Sequence, residues 1–122
     1  MESYLTLKKL GGFYSAYNDD AYILFYLFHY NIKNSKAGFP LSAYNKVINC
    51  LEENNISYIV EGKMTEKRDY KKQNRYHFIV EKGKKLYERE QRANRLYERI
   101  SELKESEIDG LLSTIENYVF ER

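Results

Sequence analysis

The hydrophobic period changes along the chain, and that change restricts the fold more than any other feature. Tyr4, Leu5, Thr6, Leu7 and Lys8 alternate roughly as a strand does within residues 3–9. Residues 56–60 and 76–80 read as further strands. Between them and the first strand, Tyr44, Val47, Ile48 and Leu51 fall at i, i+3, i+4 and i+7, which predicts an amphipathic helix over residues 41–54 closed by Asn54 and Asn55. From Lys84 onward the period is helical. Strands interleaved with helices predict an α/β fold, with a mixed β-sheet of about four strands flanked by helices and a C-terminal helical extension.

Punctuation between these runs refines the plan. Gly11 and Gly12 interrupt or bend the first strand, and Phe13 to Tyr17 resume an extended segment. Asn18 or Asp19 then caps a helix of residues 19–30, with Asp20 in its first turn. That helix is apolar nearly all round, so it belongs between two elements or in an interface. Residues 31–39 read as a loop, with a short strand at 31–33, and Pro40 stands at or just before the next helix. The 56–60 and 76–80 runs read as a long hairpin whose charged tip is residues 63–75. Leu86, Ala93 and Ile100, and likewise Leu96 and Leu103, recur every seven residues, a heptad seam weakened by Arg89 within a long helix of residues 84–104. Ser106 with Asp109 resembles a capping box, which predicts a break near 105 and a shorter helix of residues 107–120 with Ile108, Leu112, Ile115 and Val119 on one face. The division expected is an α/β domain of residues 1–82 and a helical extension of residues 83–122, packed on it or used for dimerisation.

Composition excludes several classes. A chain of 122 residues, 43% hydrophobic and 31% charged, makes one soluble domain that can bury a core without staples. No apolar run approaches the roughly 20 residues needed to cross a bilayer. The opening MESYLTLKKL has no basic stretch followed by an apolar one, and Cys50 is the only cysteine, which together point to the cytoplasm and exclude an internal disulfide. A net charge of +2 does not by itself argue for nucleic acid, but the charge is uneven. Residues 63–75 carry Lys63, Lys67, Arg68, Lys71, Lys72 and Arg75 against Glu66 and Asp69. Tyrosine is abundant, at 13 residues with no tryptophan, and suits interfaces as well as cores.

One stretch is recognisable. Gly11-x-Phe13-Tyr14-x-x-Tyr17-x-x-Asp20-Ala21 resembles the N-terminal mismatch-recognition domain of the MutS DNA mismatch repair family. Ala37-Gly38-Phe39-Pro40, followed by an amphipathic helix and the strand SYIVEG, is similar to that domain's Ala-Gly-Ile-Pro segment, helix and strand. The resemblance covers residues 5–62 and implies a mixed sheet flanked by helices that contacts DNA. It implies that Phe13 wedges beside a base and stacks on it. The family's glutamate, which hydrogen-bonds the base, falls on Ser15, which brings no charge and a shorter reach. The family's lever, clamp and ATPase domains have no counterpart in this chain. It contains no G-x-x-x-x-G-K-[ST] phosphate loop, since the glycine that motif needs is absent before Gly83-Lys84.

The nucleic-acid-binding residues expected are therefore Phe13, Tyr14 and Ser15, with Lys67, Arg68, Lys71 and Lys72 holding phosphates. Each has a plainer reading: alternation turns one of Phe13 and Tyr14 into the core, and the basic run is a solvated hairpin tip. His29 and His77 have no second metal ligand at a motif spacing, and Cys50 reads as packing. No metal, cofactor or active site is expected, and no membrane. The function implied is a non-enzymatic accessory protein that binds DNA. The alternative is a protein-interaction module, of mobile-element origin in one version, in which the helix of residues 21–30 or the C-terminal seam docks a partner or a second copy to form a homodimer.

Overall fold

Gly11 and Gly12 turn the first strand back on itself. The computed structural model, which describes residues 3–62 and 65–120, pairs β1 (Leu5–Leu10) antiparallel with β2 (Phe13–Tyr17), Leu10 opposite Phe13. Gly11 takes φ +61°, the left-handed region that a residue without Cβ enters freely, so the pair makes a tight hairpin and not a bend within one strand. After α1 (Asp19–Phe28), the chain adds β3 (Lys36–Pro40) antiparallel to β2, with Tyr14 opposite Phe39. A 3₁₀ turn (Leu41–Ala43) leads into α2 (Tyr44–Glu53). β4 (Tyr58–Glu61) returns parallel to β1, Leu5 opposite Tyr58, and β5 (Glu66–Arg68) pairs antiparallel with β4. The sheet is mixed and five-stranded, in the order β3-β2-β1-β4-β5. A second 3₁₀ turn (Lys71–Gln73) precedes α3 (Tyr76–Ser101), and α4 (Glu105–Phe120) follows. The fold is thus α/β, a mixed sheet flanked by helices with a C-terminal helical extension. Among the described residues no helix is long and apolar enough to cross a membrane.

Contacts divide the chain into two compact units, residues up to Tyr87 and residues from Glu88. In the first, one face of the sheet supplies buried Leu5, Leu7, Ala16, Ala37, Phe39, Tyr58 and Val60. Ile23 and Leu24 of α1, Val47 and Leu51 of α2, and Ile79 and Val80 of α3 join them in one core. The apolar α1 is sandwiched: α3 lies so close that a Cβ on Gly83 would stand 2.4 Å from the Tyr22 carbonyl oxygen, and the Tyr87 ring meets Tyr22 and Phe25 edge-on, at 5.6 and 5.4 Å between centroids. In the second unit, α3 ends at Ser101, a turn spans residues 102–104, and α4 follows. No described residue from 84 onward is buried.

The structure corrects five expectations. Residues 76–80 are helix, not strand: Tyr76, Ile79, Val80 and Gly83 are the buried ones, an i, i+3, i+4, i+7 stripe that a β-rich composition disguises. The hairpin's return strand is instead β5, inside the charged run, where the edge position favours Glu, Lys and Arg. Residues 36–40 are strand, not loop, because Ala37 and Phe39 face the core while Gly38 lets β3 approach β2 and Pro40 ends an edge strand. Neither Asn18 nor Asp19 caps α1 with its side chain: Asn18 sits at φ 56°, ψ −124°, and Asp20 reaches back to the sheet. Further along, α4 starts at Glu105, so Ser106 lies inside the helix and not at its cap.

Candidate nucleic-acid interface

Among the described residues, the second face of the sheet is largely exposed. Strand alternation puts Lys8 and Leu10 of β1, Phe13, Ser15 and Tyr17 of β2, Lys36 of β3, Glu61 of β4 and Lys67 of β5 on this side, opposite the core residues. All are exposed except Ser15. Continued two residues past its last pair, the β1–β2 register sets Tyr17 beside Thr6, which lines up Lys36, Tyr17, Thr6, Ile59 and Lys67 across the sheet. At strand spacing this row spans about 19 Å. Both of its ends are lysines, and its second member is an aromatic. The Lys8 ammonium lies 5.8 Å from the Tyr17 ring centroid, a cation–π contact between neighbouring strands. Beside the hairpin turn stands Phe13, 56% exposed and flanked by exposed Leu10. A recess of about 550 Å³ opens on the same side, lined by Thr6, Lys8, Tyr17, Asn18, Asp20 and Glu61. Glu61 is the acidic exception on this face.

The residues expected from the sequence separate into three groups. Phe13 and Lys67 share the open face. Ser15 points the same way but is 2% exposed, so its hydroxyl lies beneath the surface. Tyr14 and Arg68 point to the other side. Tyr14 is half-buried, its ring 5.6 Å from Phe39 and 5.0 Å from Tyr44, and the Arg68 guanidinium sits 5.3 Å from the Tyr70 ring. Lys71 and Lys72 lie beyond the sheet on the second 3₁₀ turn, where they line a recess of about 720 Å³ with Tyr70, Asn74 and His77. Lys63 lies outside the described residues. Lys8, Leu10, Tyr17 and Lys36 were missed by sequence reasoning. The signal for the first three was the glycine pair: a two-residue turn sets Leu10 against Phe13 and hence Lys8 against Ser15. Lys36 had no signal, because its strand reads as a loop.

Charged groups behind the face are held in place. Asp20 Oδ2 accepts the Thr6 N–H at 3.1 Å, and Oδ1 accepts the Tyr76 hydroxyl proton. Burial raises the Asp20 carboxyl above the usual carboxylate range, against the lowering effect of those two hydrogen bonds. The Tyr44 phenol is pushed up to about 12, by burial first and then by its hydrogen bond to Glu66. Burial also pushes the Cys50 thiol up, away from the thiolate that nucleophilic chemistry needs. His77 Nε2 and Ser3 Oγ are 2.9 Å apart. Among the described residues no group of three or more His, Cys, Asp or Glu is placed to hold a metal ion. Compared with models of known protein families and with curated protein sequences, the chain matches none.

Proposed function

We propose that the protein binds nucleic acid through the uncovered face of its sheet, as a non-enzymatic cytoplasmic accessory built like a MutS recognition domain without the clamp or ATPase. The observation that carries this is the exposed pair Phe13 and Tyr17 on a face whose two edges present Lys36 and Lys67. Aromatic rings on an open sheet stack with bases whatever their identity, and lysines at its margins take the phosphates on either side. Phe13 is the stacking residue. Lys8, Lys36 and Lys67 hold the backbone, with Lys71 and Lys72 extending the path. Ser15, its hydroxyl covered, supports the strand that presents Phe13, and Tyr14 does so from the opposite side. DNA is the substrate class that the resemblance carries.

Fluorescence anisotropy tests this with matched duplex, mismatched duplex and single-stranded DNA at low and near-physiological salt. The parent should bind, and binding should weaken as salt rises. Phe13→Ala should weaken the unpaired or mismatched substrate about ten- to a hundredfold, the range for one lost base stack. No binding at low salt, or an affinity indifferent to Phe13, would refute it.

A further inference from the structure

The second unit leaves its apolar residues in water. On α3, Leu96 is 61% exposed, and on α4, Val119 is 55% exposed, with Leu112, Ile115, Tyr118 and Phe120 also exposed. Only Glu90, Ile100, Leu103, Ile108 and Leu111 are even half-buried there. α4 has 16 residues, among them Gly110, Ser113, Thr114, Asn117 and Val119, which are poor helix formers. A helix of that length and composition is not stable in water without packing. Something must cover it.

Charge decides among occupants. α4 contains Glu105, Glu107, Asp109 and Glu116 and no lysine or arginine. Anionic lipid and nucleic acid are therefore repelled, since helices that lie on such surfaces are basic on their polar face. The distal part of α3 carries the opposite pattern. Its seam runs Ala93, Leu96 and Ile100, continued by Leu103 in the turn, and is flanked at the g positions by Arg92 and Arg99. On α4 the seam runs Ile108, Leu112, Ile115, Val119, flanked at the e positions by Asp109 and Glu116. In both helices the flanking charges are seven residues apart. Pairing of g with e residues joins helices that run parallel. α3 and α4 of one chain are joined by only three residues (102–104), too few to carry the chain back along a helix for a side-by-side parallel pairing, so the parallel match is available only between two chains.

We infer that residues 88–120 form the interface of a homodimer, in which the distal half of α3 packs parallel to α4 of a second copy and the reverse contact is made by symmetry. Such an interface is isologous and closes on itself. Arg99 already meets Glu102 at 3.1 Å, an exposed contact that contributes little and exchanges readily for a partner's carboxylate.

Sedimentation equilibrium of the full chain tests this, with far-UV circular dichroism beside it. The parent should be a dimer whose helicity rises with protein concentration. Arg92→Glu with Arg99→Glu should raise the dimer dissociation constant about a hundredfold, because like charges then face each other. Asp109→Lys with Glu116→Lys should do the same, and mixing the two variants should restore a heterodimer. None of these positions is buried, so the cooperative unfolding of the first unit serves as the control for folding. A chain that stays monomeric at the highest concentration reached, or a dimer indifferent to charge reversal, overturns the proposal.

Discussion

At the scale of single residues, neighbours in sequence have opposite duties. Phe13 is 56% exposed and is not one of the residues packed in or against the buried core. Phe13→Ala should leave the unfolding free energy within about 0.5 kcal/mol while weakening nucleic-acid binding. Tyr14 packs against Phe39 and Tyr44. Tyr14→Ala should cost about 2–4 kcal/mol of stability, measured by chemical denaturation. If the two variants behave alike, the strand's alternation does not divide its work in this way. Asp20 offers a pH test. Its carboxyl is raised, so the folded chain binds a proton at a higher pH than the unfolded chain does. That part of stability is complete below the unfolded pKa and is lost as pH rises through the folded one. Asp20→Asn is neutral throughout and lacks it. The stability of the parent minus that of the variant should therefore grow as pH falls from neutral into mild acid. A difference flat with pH would show that burial does not perturb the group.

At the scale of elements, Asn74 ties three segments together. Its Oδ1 accepts the Ser57 N–H at 3.0 Å at the approach to β4 and the Tyr76 N–H at 3.2 Å at the start of α3, and its Nδ2 donates to the Ser3 carbonyl at 2.8 Å before β1. Asn74→Ala would strand the N–H of a fully buried residue, so a loss of about 2–3 kcal/mol is expected in equilibrium unfolding. No local pattern announced the whole of that role, because two of the three partners, Ser57 and Ser3, come from elsewhere in the chain. The same limit explains which elements were legible. β1, β2, α1 and α2 follow periods or punctuation that short windows contain. β3 does not, since Ala-Gly-Phe-Pro looks like a loop until β2 supplies the neighbour that needs its glycine. The start of α3 carries Tyr, Phe and Val, and only packing on α1 reveals its helical stripe. Of the candidate site, Phe13 was legible from the glycine pair. Its companions on the open face were not, because a face is a property of register.

At the scale of the whole molecule, binding and association are separable. With Lys8, Lys36 and Lys67 as the phosphate contacts, the logarithm of affinity should fall against the logarithm of salt with a slope of about −2 on a single strand. A slope near zero would remove the electrostatic component. A chain ending at Tyr87 keeps every buried residue of the first unit, the last in α3 being Gly83. It should retain a cooperative unfolding transition and remain monomeric, and loss of that transition would show that the helices beyond are needed for the core.

The strand order also sets a hazard during synthesis. β1 is central, yet one of its two partners is made long after it. The meander β1-β2-β3 is complete once Pro40 has been added, while the other edge of β1 waits for β4, which ends at Glu61. At ribosomal speeds this interval lasts roughly one to four seconds. Throughout it an unsatisfied strand edge bearing Leu5 and Leu7 faces the crowded exit of the translation machinery, where neighbouring nascent chains on a polysome expose the same edge. The interval between the emergence of Pro40 and that of Glu61 sets how long that edge stays open to aggregation, independently of the final stability of the fold.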